Sequence, residues 1–150
     1  MSIIDKLKEN VERITGMPFV YGSAGDINTA LDQAPLPCVF AYLLSSGSVN
    51  DENGMLHDRM QIAVFFVNKT IFDFEGVENE RIIDDMKRRA FGWYANNRNN
   101  DALNFGAITR SQRVYDRIAD AIVTGYAIEV VIEERECVGA CNAPEPLNLA

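Results

Sequence analysis

The sequence predicts a single-domain α+β fold: a mixed or antiparallel sheet of four to five strands packed against a long helix, with an amphipathic helix at the N-terminus. Three observations predict it. Residues 60–68 (MQIAVFFVN) read as a strand whose middle, Ile62 to Val67, is apolar on both faces, as a strand covered on both sides requires. Residues 125–134 (GYAIEVVIEE) place Tyr126, Ile128, Val130 and Ile132 in strict alternation. Between them, residues 78–96 repeat apolar side chains at helical steps.

The first helix follows from its ends as much as from its face. Ser2 and Asp5 stand at capping-box spacing, with Asp in place of the usual Glu or Gln. Ile3, Ile4, Leu7, Val11 and Ile14 then share one face, and Gly16 and Pro18 stop the helix. Residues 19–22 read as a short strand, and 26–33, with Ile27 and Leu31 four apart, as a short helix ended by Pro35 and Pro37. Residues 38–44 (CVFAYLL) are apolar on both faces and read as a buried strand. The Ser-, Gly- and Asn-rich stretch 45–54 carries no periodicity and reads as a loop or a long hairpin tip. The strand that follows, about 56–70, is longer than the usual five or six residues, and its polar start at His57, Asp58 and Arg59 lets part of it project beyond the sheet.

In the long helix, Ile82, Met86, Ala90 and Trp93 fall on one face, flanked by Ile83 and Tyr94. Asp84–Arg88 and Asp85–Arg89 are acid-first pairs on the outer side. Asn96 to Asp101 is a polar linker. Residues 106–118 alternate only in part, as a half-exposed strand does. The domain spans 1–136, and 137–150, with Gly139, Pro144 and Pro146, reads as a tail or docking arm.

Composition narrows the function classes. A chain of 150 residues that is 47% hydrophobic and 24% charged has room for one ordinary globular core. A net charge of −8 disfavours a general binder of nucleic acid or anionic membrane, which needs a surplus of Lys and Arg. No window reaches the roughly 18 apolar residues of a membrane span. No secretory signal is visible at the N-terminus, and three cysteines, an odd number, argue against a disulfide framework and for a cytoplasmic setting.

The chemistry-bearing residues are few, and no catalytic, cofactor or metal site emerges from them. His57 is the one histidine, which excludes His-based triads and multi-histidine metal sites, and beside Asp58 it reads as a solvated or hydrogen-bonding residue. No phosphate-binding, dinucleotide-binding or nucleophile-elbow motif occurs. Cys137 and Cys141 lack the further ligands that a structural zinc site needs. Asp51, Glu52 and Asn53 lack the calcium-loop spacing, and Asn68-Lys69-Thr70 is an incidental sequon. Glu133, Glu134 and Glu136 around Arg135 read as a solvated strand end. Phe65, Phe66, Phe72, Phe74, Trp93 and Tyr94 are read as core, with a pocket lining as the other reading. The chain is expected not to be an enzyme.

The order of elements adds a resemblance. An amphipathic helix, a short second helix, a strand into a polar loop, a long strand ending Val67-Asn68-Lys69, a long helix and a strand pair carrying Thr124-Gly125-Tyr126-Ala127-Ile128-Glu129-Val130 resembles the tail-completion and tail-terminator proteins of tailed bacteriophages, over about residues 1–135. The resemblance implies a structural virion protein made in the host cytoplasm. It implies a homo-oligomeric ring, commonly of six, that caps the tail tube and joins it to neck or connector proteins. DNA would pass through such a ring without being bound sequence-specifically. No cofactor is implied, and the contact residues expected on the hairpin are Met55, Leu56, His57 and Arg59, with Met55 and Leu56 as an exposed apolar anchor. The alternative reading is a small-ligand-binding or regulatory α+β domain without enzymatic activity.

Overall fold

The computed structural model describes residues 2–22, 36–50, 54, 56–71, 77–98, 100, 102–118 and 121–134, without the side chains of 116–118, 121 and 122. Its elements run α1 (Ile3–Thr15), β1 (Phe19–Gly22), β2 (Cys38–Asn50), β3 (Leu56–Lys69), α2 (Val77–Asn96), β4 (Leu103–Ile118) and β5 (Ala121–Glu134). The fold is α+β, with a five-stranded mixed sheet in the order β1-β2-β3-β5-β4. Only β1 and β2 pair in parallel; the remaining neighbours are antiparallel. The short helix expected over 26–33, the Phe72 and Phe74 segment, the acidic tip 51–53 and the tail 137–150 lie outside the described residues.

The N-terminal cap forms as its spacing requires. Ser2 Oγ accepts from the Asp5 backbone N–H at 3.1 Å, and the Asp5 carboxylate accepts from the Ser2 backbone N–H at 3.2 Å. The Ser2 hydroxyl, which donates to Asp5 Oδ2 at 2.9 Å, and then the Ser2 backbone N–H favour the charged carboxylate and hold the Asp5 pKa below its ordinary value. At the other end Gly16 takes a left-handed conformation (φ 70°) that a side chain would disfavour.

The sheet is buried on both faces. On the first lie Val39, Ile62, Val64, Phe66, Ile128, Val130 and Ile132, covered by Ile3, Leu7 and Val11 of α1 and by Ile83, Met86, Ala90 and Trp93 of α2. The buried stripe of α2 is turned slightly from the one its sequence suggests: Ile83 is buried and Ile82 only partly, because the helix lies across β5 and β3 rather than squarely along one strand. On the second face Cys38, Phe40, Ala63, Phe65, Val67, Val123 and Ala127 form their own cluster, and no residue of either described helix belongs to it. The apolar-on-both-faces pattern of 62–67 therefore marks a central strand, as expected.

Residues 38–44 follow the expected strand only in part. Cys38 to Ala41 are buried, whereas Leu43 and Leu44 are each 40% exposed. β1 pairs with β2 only as far as Tyr42, and the register of β2 against β3 shifts between Leu43 and Ser45, so the strand leaves its cover at that point.

Two asparagine clamps replace contacts that apolar residues would otherwise make. Asn79, buried in the first turns of α2, accepts from the Ile71 N–H at 2.9 Å and donates to the Ile71 carbonyl at 2.7 Å. Its amide thus mimics a neighbouring strand and fixes how the chain leaves β3. The second clamp joins three elements. Asn10 of α1 accepts from Trp93 Nε1 at 2.7 Å and donates to Asn97 Oδ1 at 2.7 Å. Asn97 donates to the Trp93 carbonyl at 2.8 Å, and Asn100 donates to Asn97 Oδ1 at 2.9 Å. Asn100 Oδ1 then accepts the N–H groups of Ala102 and Leu103 at 2.7 and 2.9 Å, which sets the start of β4. The stretch expected as a simple polar linker holds a buried junction instead.

Cys38 is fully buried, and burial pushes its thiol from 9.0 to about 11. At about pH 8 iodoacetamide should leave Cys38 unmodified in the native protein and alkylate it after denaturation, as read by peptide mass mapping. The unfolded thiol ionises first. Its contribution to stability is therefore complete below pH 9.0 and is lost as pH rises towards about 11.

Candidate functional site

The β2–β3 hairpin carries the residues that the sequence singles out. Residues 45–50 are strand, paired from Ser45↔Gln61 to Asn50↔Leu56, so the loop reading of this stretch is corrected to a hairpin. Low strand propensity in Ser-Ser-Gly-Ser is overcome by the ladder that residues 56–61 supply. Among the described residues β3 pairs with β5 from Arg59↔Glu133 inward, and residues 56–58 pair with 48–50 alone.

Of the expected contact residues, Met55 lies outside the described residues. Leu56 is 52% exposed and sits at the outer end of the hairpin, not at its base. His57 and Arg59 turn back to β5. His57 Nδ1 is 3.0 Å from the Glu134 carbonyl oxygen, a bond that needs the proton on Nδ1. Arg59 Nε is 3.7 Å from Glu133 Oε1, with both side chains substantially exposed, a geometry that contributes little. The structure therefore brings His57, Arg59, Glu133 and Glu134 together where the hairpin leaves the sheet.

Glu134 departs from the solvated strand end that the sequence suggests. Its side chain is 8% exposed, and its carboxylate lies 3.3 Å from Lys6 Nζ of α1. Removing Lys6 would strand a nearly buried carboxylate, a costly change. No sequence signal could have paired residues so far apart; the contact exists because α1 crosses the end of β5.

Two surface depressions accompany these groups. One of about 310 Å³ lies against Ser45, Ser46, Gly47, Ser48, Arg59, Gln61 and Val131, where small side chains leave the sheet surface hollow. Another of about 270 Å³ is lined by Lys6, Glu9, Asn10, Arg13, Asn100, Ala102 and Leu103, beside the asparagine junction. The Asn10 amide is already engaged with Trp93 and Asn97.

Of the aromatic set, Phe65, Phe66 and Trp93 are buried core, Tyr94 is partly buried, and Phe72 and Phe74 lie outside the described residues. On the first face Trp93 packs against Phe66 and Phe105, with ring centroids 5.8 and 5.2 Å apart, and Tyr94 also meets Phe105. On the second, Phe65 stacks on Phe40 at 4.6 Å and on Tyr42 at 5.6 Å. Among the described residues no group of three or more His, Cys, Asp or Glu side chains is placed to hold a metal ion, and no helix is long and apolar enough to cross a membrane. Cys137 and Cys141 lie outside the described residues. Comparison with protein-family models and with curated proteins found no match.

Proposed function

We propose that this chain is a structural protein of a tailed-bacteriophage virion, a subunit of a ring that terminates the tail or joins it to the neck. The observation that carries the reading is the β2–β3 hairpin. Among the described residues, 48–50 and 56–58 pair with each other as a two-stranded arm, and none of the six is buried, so the arm adds little to the core of its own subunit. An arm of this kind suits contact with a neighbouring subunit or a neck protein. The element order, one helix before the sheet and a long helix between β3 and β4, is the order on which the resemblance rests. A net charge of −8 suits a surface that DNA passes without adhering. The partners would be other copies of the chain, the tail tube and neck or connector proteins, and the place of action the virion. No catalytic residue, cofactor or metal enters this role. The alternative, a small-ligand-binding or regulatory domain, would line its pocket with the aromatic set, and the described rings of that set pack against one another instead.

Mass in solution tests the proposal directly, since a ring former gives a closed oligomer of defined size. A ligand-binding domain gives thermal stabilisation by its ligand instead. Deleting residues 47–53 removes the outer ladder of the hairpin, Gly47↔Arg59 to Asn50↔Leu56, but none of the buried core, so the subunit should stay folded and melt as one cooperative unit. The same deletion should reduce ring formation and the joining of tails. A deletion variant that assembles and complements like wild type would remove the arm from the contact surface.

A further inference from the structure

The two edges of the sheet differ in character. β4 presents a long outer edge, but its register against β5 is broken by irregularities between Phe105 and Ile108 and between Ile108 and Arg110. That edge also carries exposed Arg110 and Arg113. Bulges and long cations are the devices that keep a further strand away from an edge. The opposite edge is guarded only along its lower part, where β1 pairs with β2 from Val39 to Tyr42. Beyond the bulge, residues 45–50 keep an unbroken register with β3 on one side, and among the described residues no strand pairs on the other. Their sequence, Ser-Ser-Gly-Ser-Val-Asn, contains no charge and no proline, and all but half-buried Val49 are exposed. The one bulge of this stretch lies at its start, between Leu43 and Ser45, and the stretch itself carries neither a further bulge nor a charge.

We propose that residues 45–49 pair edge to edge with the same residues of a second copy of this chain, antiparallel, about a twofold axis at Gly47, so that Gly47 faces its own copy. The identity of the occupant follows from the charge pattern. At the axis a residue faces its own copy, so any charge close to the axis would face a like charge and weaken the pair. Residues 45–50 satisfy that condition, whereas the edge strand β4 does not, with exposed Arg110 and Arg113, and the outer end of β3 carries exposed Arg59. An edge shaped for a different partner would be free to carry charges matched to it. On a chain of net charge −8, an uncharged run is also where two copies meet with least repulsion. Small side chains at Ser45, Ser46, Gly47 and Ser48 leave both faces of the joined sheet unobstructed, and the edge N–H and C=O groups, which no strand pairs among the described residues, supply the bonds. The pairing does not depend on the virion role; it yields a twofold contact whether or not a ring forms.

Gly47 provides the test. A Cβ there meets nothing within 4 Å, so Gly47→Lys and Gly47→Glu should fold with unchanged melting temperature. Wild type should dimerise with rising concentration in sedimentation equilibrium, and the amides of residues 45–49 should exchange more slowly as it does. Each variant alone should raise the dimer dissociation constant about tenfold or more, since two like charges then meet at the axis. An equimolar mixture of the two variants should restore pairing as a Lys–Glu heterodimer. Wild type that stays monomeric, association that neither variant weakens, or a mixture that fails to recover would each overturn the proposal. A closed ring indifferent to Gly47→Lys would overturn this pairing and leave the virion role intact. A dimer abolished by Gly47→Lys, with no larger closed oligomer, would uphold the pairing and count against the ring.

Discussion

Trp93→Ala should destabilise the protein by roughly 3–5 kcal/mol, the range for emptying a large aromatic site in a core. Trp93 is 1% exposed and lies between Phe66 of β3 and Phe105 of β4, so its removal opens a void between α2 and the sheet. A second cost adds to the first. Asn10 Oδ1 loses its donor, Trp93 Nε1 at 2.7 Å, in a buried position where water cannot readily replace it. Trp93→Phe separates the two terms, because it keeps most of the ring and removes the donor; it should cost about 1–3 kcal/mol. Chemical denaturation followed by far-UV circular dichroism measures both, since the chain has one tryptophan and both variants remove it. A loss below about 1 kcal/mol for Trp93→Ala would be the behaviour of a surface residue and would contradict the packing of α2.

The parts of this fold that the sequence made legible are those fixed by local pattern. Ser2 and Asp5 announce the start of α1, and Ile3, Leu7 and Val11 announce its face, because cap and stripe need only neighbouring residues. Residues 62–67 announce a central strand because a run apolar on both faces has no other comfortable place. What escaped is what depends on distant partners. Asn10, Asn97 and Asn100 look like surface or linker residues by type, and become a buried junction only when α1, α2 and β4 converge. Glu134 looks solvated until Lys6 of α1 reaches it. Residues 45–50 lack strand propensity, and their ladder comes from residues 56–61. The same holds for the candidate contact surface: the polarity of His57 and Arg59 was visible, but their inward bonds to Glu134 and Glu133 belong to the folded sheet.

Gly125→Ala should be among the most disruptive single-methyl changes available, costing about 3 kcal/mol or more. Gly125 faces Val67 in the β3–β5 pair, at the heart of the sheet. A Cβ on Gly125 would lie 2.9 Å from the carbonyl carbon of Phe66 and from Val67 Cα, and closer still to the Phe66 carbonyl oxygen. These are backbone atoms of the central strand, so no side-chain rotation can relieve the overlap. Relief requires β3 and β5 to separate, which weakens their ladder and disturbs Phe66 beside Trp93. Gly92→Ala is the internal control. It sits within α2 with nothing within 4 Å of the added Cβ, and a glycine in a helix interior costs about 0.5–1 kcal/mol relative to alanine. The two substitutions add the same methyl group and should move the unfolding midpoint in opposite directions: Gly125→Ala sharply down, Gly92→Ala modestly up. Gly125→Val, bulkier at the same point, should leave little folded protein at all. If Gly125→Ala melted within a few degrees of wild type, β3 and β5 would have to be farther apart at this point than the pairing describes, and the central position of the Thr124-Gly125 segment would be wrong.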